Sequence, residues 1–396
     1  MTSLRNTRLG GLAALVGASL LATACGSGGS AVEAAEPSSA NTEGRVAVSY
    51  EGGLAVLDAA TLDVVQRFDS EEFTRLNAAG DGKHVFVTTS DGFQLLDTLT
   101  PELTGLKYAA TTPGHVVRHA GQTVLFDDGT GKTSIIETAD LAQATDALPQ
   151  AQTYTSKTAH HGVSIVLEDG TLLTTVGDET TRTGAVALDG DRAEIAASSD
   201  CPGIHGEGTA ADEAVIFGCE NGALLFKDGK FQKFTAPDEF GRMGNAYVSG
   251  TSPIVVGDYK NDPDAEGYLL NAVTLIDTEK GEYEVVRLPE TVQYTFRDVA
   301  RGPDDLAYIL STDGSIHVLD PETGKLVNEF PVVDAWEGPV EWQDAHPAIV
   351  ANGDIAYVTE PATKTVHAVD LKTGKKTASV TLDQTPNEIA ATLGTK

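Results

Sequence analysis

His115, His161 and His205 stand 46 and 44 residues apart in a chain that has nine histidines. Neutral imidazole nitrogens bind zinc at about 2.0–2.1 Å, and three protein ligands leave a fourth position for water or a carboxylate. An open site of that kind suits a metal that must be released, whereas thiolates favour tighter structural binding. The same three residues also admit a plainer role, as polar filling of a channel mouth hydrogen-bonded to water and backbone. The near-constant step chooses between them only if it is a structural repeat.

The chain carries such a repeat. Short β-branched and aromatic runs are broken by turn signals about every ten residues, with almost no helical periodicity. Four segments are alike: "LAVLDAATLDVVQRF", "VTLIDTEKGEYEVVRL", "IHVLDPETGKLVNEF" and "VHAVDLKTGKKTASV". Each reads as a strand, an Asp opening a tight turn, and a second strand; in three of them Gly stands where the turn needs positive φ. A further strand precedes each hairpin ("HVFVTTSDG", "EAVIFGCENG", "LAYILSTDG"), and another begins near Arg75, His115, His161, His205, Gly244, Asp298, Pro347 and Asn387. The unit is therefore four-stranded. "PNEIAATLG" at the C-terminal end is a first strand lacking partners, and the N-terminal "GRVAVSYEGGLAVLDAATLDVVQRF" supplies three. An all-β, eight-bladed β-propeller over 45–396 follows, its ring closed by both chain ends. Eight units over that span average 44 residues each, within the roughly 40–45 of a propeller blade. Seven blades is the alternative, because "ATDALPQAQTYT" is a poorly patterned fourth strand.

With the closing blade counted first, His115, His161 and His205 open the channel-lining strands of blades 3, 4 and 5. Strand neighbours face opposite ways, so of the pair His160 and His161 the one in step with the repeat is His161. His160 is expected to be structural, or an additional ligand swinging over the mouth. Glu207, two residues after His205, is a candidate fourth ligand or outer carboxylate. His119 is four residues inward of His115, His346 precedes the first strand of blade 8, and Asp298 starts that of blade 7; each is a more remote candidate. His84, His317 and His367 fall inside second or third strands and read as packed or surface residues.

The N-terminus reads as an export signal. Arg5 and Arg8 precede a charge-free apolar run from Leu9 to Ala22, too short to span a bilayer. "LLATAC" resembles the lipobox of bacterial lipoproteins, with Ala22 where Leu is more usual. It implies a leader over 1–24, cleavage before Cys25 and lipidation of that cysteine; otherwise Cys25 is a free thiol. Residues 25–44 are then a flexible Gly/Ser/Glu tether. The formal net charge is −31. So acidic a chain is repelled by nucleic acid and anionic lipid, leaves membrane contact to the lipid alone, and draws cations. A monomer is expected. Cys201 and Cys219, in an exported protein, favour one disulfide about the turn near Ala211 and Asp212. The rival is that they ligate metal themselves.

At this point "GHVVRHAGQTVLFDDGTG", "HHGVSIVLEDG", "CPGIHGEG" and "IFGCENG" resemble the AztD-type zinc metallochaperones, exported β-propeller proteins associated with zinc ABC importers. The resemblance implies zinc at the channel mouth, a ligand set drawn from His115, His161 and His205, and hand-over to the importer's solute-binding protein. Some members carry a histidine-rich N-terminal segment; residues 26–44 contain no histidine, so a second, tail-borne zinc site is not expected. The lipobox implies a version anchored at the outer face of the cell membrane.

Catalytic motifs are thin. There is no G-x-S-x-G elbow, no H-E-x-x-H and no phosphate loop, and "DDGTGKT" reads as a strand-to-strand turn. The leading expectation is a non-enzymatic zinc-binding lipoprotein that stores or transfers metal. A metal-dependent propeller hydrolase, lactonase-like and using Glu207 as base on a metal-bound water, is one alternative. A metal-free platform for protein partners is the other.

Overall fold

The structure, a computed structural model, describes residues 44–265 and 267–393. The leader over 1–24, Cys25 and all of the 25–44 tether except Gly44 lie outside the described residues. Among the described residues the strands form eight sheets, each built on four antiparallel strands, and in one of them the two-residue strand Gly241–Arg242 adds a short parallel pairing. This is the arrangement of an eight-bladed β-propeller.

The turn chemistry explains why the hairpins form where they do. Asp58 Oδ1 accepts the N–H groups of Ala60 and Thr61, both at 3.0 Å. Asp97, Asp277 and Asp370 repeat the bond pattern two and three residues on. Gly281, Gly324 and Gly374 then take positive φ. In the first hairpin the equivalent place belongs to Leu62, at φ 62° and fully buried. Left-handed backbone costs a non-glycine residue about 1–2 kcal/mol, and burying leucine contributes about 2 kcal/mol in return.

Within a blade, burial follows strand order. The second and third strands are sandwiched between neighbouring sheets, so Val215–Cys219 and Ala272–Asp277 are buried throughout. The fourth strands form the rim and are largely exposed, as in Val64–Asp69. The apolar clusters lie between blades; one joins Val117, Ile165, Leu173, Val215 and Phe217 from blades 3, 4 and 5.

The ring closes as the repeat requires. Ile389–Thr392 pairs with Arg45–Tyr50, with Ala47 opposite Ala390 and Arg45 opposite Thr392. The seven-blade alternative falls. The weakly patterned strand exists as Gln152–Thr155, paired with Lys132–Ile135. Its pattern is blurred because a one-turn helix, Thr138–Leu141, precedes it and buries Leu141.

The first strands are short, and that matters for the site. Pro113–His119 and His205–Thr209 begin close to where the sequence places them. The first strand of blade 4 is only Ser164–Val166, so His160 and His161 stand in the loop ahead of it.

The closing seam yields a test. Ala390 is buried against Ala47, Val85 and Val87. An Ala390→Asp protein is expected to lose about 3 kcal/mol by burying an unpaired carboxylate, seen as a lower denaturant midpoint. An unchanged midpoint would show that this seam does not hold the ring.

Candidate metal centre

Two of the three histidines are placed by an irregularity in the ladder, and His161 by the loop ahead of its strand. The register of Pro113–His119 slips between Pro113 and Val116, at His115. The register of His205–Thr209 slips between His205 and Glu207. Gly206 fills that bulge at φ 59°, and a Cβ there would strike the Gly244 carbonyl oxygen. A Cβ on Gly114 would likewise strike the Asp128 carboxylate. Both glycines thus make room for groups that hold the imidazoles.

Those holding groups come from neighbouring blades. His115 donates from Nδ1 to the Gly162 carbonyl at 2.9 Å. His205 donates from Nδ1 to the Gly244 carbonyl at 2.6 Å. Carbonyl oxygens only accept, so both protons sit on Nδ1 and both Nε2 lone pairs are free. His161 Nδ1 meets Asp128 Oδ2 at 2.6 Å, and Asp128 Oδ1 accepts the Gly162 N–H at 3.2 Å. A carboxylate or carbonyl on the far nitrogen is the support that metal-binding histidines have, since it fixes tautomer and ring angle.

The three rings face one another with centroids 5.0, 5.3 and 5.1 Å apart. One ligand nitrogen from each lies within 4.8 Å of the others. His161 Nε2 and His205 Nε2 are 3.0 Å apart. With both Nδ1 atoms protonated, two lone pairs point at each other, and a cation between them relieves the repulsion. Ligand nitrogens of a tetrahedral zinc are about 3.3 Å apart at the usual bond lengths. Burial above all, and then the neighbouring imidazoles, hold His115 down at about 3. Burial holds His205 at about 3 as well, against the Gly244 bond, which raises it. Both are neutral, as a metal ligand must be.

The other sequence candidates fall outside the cluster. His160 is buried, with Nδ1 at 2.9 Å from the Thr158 carbonyl and Nε2 at 3.0 Å from Thr175 Oγ1. It has no nitrogen to spare. His119 binds Glu213 at 2.8 Å, at the inner end of its strand. His346 is buried among Thr295, Arg297 and the Asp344 carbonyl. Asp298 is buried, with Oδ2 on the Thr295 N–H and Oδ1 without a hydrogen-bond partner. Glu207 was expected on the face of His205. The bulge at Gly206 sets His205 opposite Gly218 but Glu207 opposite Phe217, which turns the carboxylate to the other face. There burial raises it to about 7, with the Arg118 charge opposing.

Cys201 and Cys219 form the disulfide, with Cα atoms 5.0 Å apart. This removes the reading in which they are thiolate ligands. The bridge ties down the Pro202–Ile204 turn that leads into His205.

Asp128 is a site residue that sequence reasoning missed. Its signal was a surplus. Other turns of the repeat use one Asp, and in "FDDGTG" the turn bonds to Gly129 and Thr130 belong to Asp127. Asp128 is left over for His161.

With this geometry, the chain can be compared with known proteins. No family model matches it. The curated zinc chaperone AztD of Citrobacter koseri is 23% identical over 304 residues, which span 76% of this chain and 70% of that protein. Two crystal structures of AztD from that organism, one described as apo, align with TM-scores of 0.74 and 0.73 at 20% identity. They cover 89% of this chain and 98% of theirs. The chain resembles AztD in sequence and in fold. The dihydro-heme d1 dehydrogenase NirN, in complex with DHE, shares the architecture more distantly, with a TM-score of 0.61 at 13% identity over 89% of this chain and 76% of its own. AztD and this chain thus sit on a propeller scaffold that also serves enzymes, and the metal centre must speak for itself.

Two outcomes follow. His161→Ala is expected to weaken zinc binding more than about tenfold, and His160→Ala to cost stability while leaving affinity nearly intact; competition with a chromophoric chelator reads the order, and the reverse order would refute the assignment. Burial holds Asp298 up at about 7 against 3.8 unfolded. Its contribution to stability is then full below pH 4 and is lost as the pH rises through 7. Asp298→Asn removes that titration, so its stability should depend less on pH between 5 and 8 than the wild type's. Parallel denaturation profiles would mean the carboxyl is already ionised in the fold.

Proposed function

We propose that this protein is an extracytoplasmic zinc-binding protein that holds zinc on Nε2 of His115, His161 and His205 and delivers it to the solute-binding protein of a zinc ABC importer. The observation that carries the reading is the convergence of three imidazoles whose Nδ1 atoms are already spent on Gly162, Asp128 and Gly244. The likeness to a protein named zinc chaperone supports zinc as the metal. Three ligands and an open fourth position suit cargo that must leave.

The mature chain is proposed to begin at a lipidated Cys25, to touch the membrane through that lipid alone, to bind no nucleic acid and to act as a monomer at the outer face of the cell membrane. The role is one of holding and transfer, not of catalysis. Glu207, the carboxylate that a hydrolase would place beside its metal-bound water, feels the Arg118 charge and lies outside the histidine cluster.

The mature protein should bind one zinc per chain, and the His115→Ala/His161→Ala/His205→Ala protein none, by elemental analysis after dialysis. Undiminished zinc in the triple variant would end the assignment. Delivery has its own readout: stopped-flow transfer to the solute-binding protein should outpace release into a chelating buffer. Equal rates would leave a store without a hand-over.

A further inference from the structure

A cavity of about 670 Å³ opens over the three imidazoles, and Arg75, Arg242, Tyr268 and Trp342 share its lining. Its size is that of a small-molecule site. A metal ion with one water needs far less, since a water takes about 30 Å³.

The charge in that cavity has the wrong sign for a cation site. The chain has 58 acidic residues and 27 Lys and Arg, yet arginines surround the imidazoles. The one carboxylate among them, Asp128, is committed to His161 and Gly162. Among the described residues Arg242 makes no ion pair, and its side chain reaches only the Gly203 carbonyl, at 3.5 Å. Arg182 makes none either. It lies near enough to feel the Arg242 charge, and also those of Glu220 and Asp128. Arg75 rests on Phe296 and Trp342, 5.9 and 5.6 Å from the ring centroids. Its one carboxylate neighbour, Glu388 at 3.8 Å, is bound closer by Arg297 at 3.0 Å. Arg242 and Arg182, without an ion pair in so acidic a chain, and Arg75, whose only carboxylate is shared with Arg297, are forks that can take an anion, and carboxylate is the planar partner they match.

We propose that the mouth binds zinc together with a carboxylate ligand, which completes the metal's coordination and places its remaining charge on Arg242 and Arg75. The proposal rests on zinc binding by the three histidines and adds the class of the fourth ligand. The carboxylate comes from a small organic acid or from an acidic side chain offered by a partner.

Cobalt substitution tests it, because the visible bands of Co²⁺ report on coordination. The cobalt-loaded mature protein is titrated with malonate and, separately, with a capped peptide containing one glutamate, and metal content is measured throughout. A saturable spectral change is expected with at least one of them. Tighter malonate points to a free organic acid, and tighter peptide to a partner's side chain. Arg242→Gln and Arg75→Gln should each weaken that binding by about tenfold or more, with one metal still bound. Arg242→Lys, which keeps charge but loses the fork, should fall between. No saturable change with either ligand, or unaltered affinity in both Gln variants, would overturn the proposal. Wild-type protein that takes up no cobalt at all would instead refute the histidine site.

Discussion

The centre depends on a single kind of bond: the Nδ1 of each of the three clustered imidazoles is held by a group on a neighbouring blade. His115 of blade 3 reaches Gly162 of blade 4, His161 of blade 4 reaches back to Asp128 of blade 3, and His205 of blade 5 reaches Gly244 ahead of blade 6. These bonds fix tautomer and ring angle before any metal arrives, so less side-chain entropy remains to be lost on binding. They also tie the centre to ring closure. A propeller is held by apolar contact between blades, and any change in blade-to-blade spacing moves donor and acceptor apart. Asp258 extends the chain of support, accepting the N–H groups of Gly244 and Asn245 from the second strand of blade 6.

The remaining histidines show what sets the three apart. Several sit beside carboxylates: His84 on Asp81, His367 on Glu360, His317 on Asp313. Proximity to acid therefore does not distinguish the site. What differs is convergence: one nitrogen each of His115, His161 and His205 lies within 4.8 Å of the others. His367 spends its second nitrogen on Ser379, and His160 both of its own on Thr158 and Thr175. His115 and His205 have one bond each to a carbonyl, and their Nε2 atoms turn toward a shared point.

Much of this was legible in the sequence, and the limits have physical causes. The Asp-opened turns and alternating strands are local signals, so the repeat, the closing strand and the step of one histidine per blade could be read directly. Leu62 shows the local rule yielding to burial without disturbing the count. The bulge at Gly206 was not legible, and it is why Glu207 was placed on the wrong face: one inserted residue inverts every later assignment by alternation. His161 stands beside His115 and His205 although it precedes its strand, since its position comes from Asp128 and not from a pleat. The partners Gly162 and Gly244 act through backbone carbonyls, which any residue type supplies, and no sequence pattern marks them.

The charge distribution acts at two ranges. The acidic surface draws cations toward the protein, but at physiological salt that field fades over about 8 Å. Inside the mouth the nearest charges decide, and there Arg75 and Arg242 oppose a bare divalent ion. Attraction from afar and repulsion at the threshold are reconciled if the metal's charge is partly cancelled as it enters. The same arrangement serves departure. Under the proposed sharing, withdrawing that carboxylate would leave a metal on the three imidazoles beside Arg242 and Arg75, and would weaken its hold without any movement of the histidines. In that way a ring could release a bound metal without bending its ligands apart.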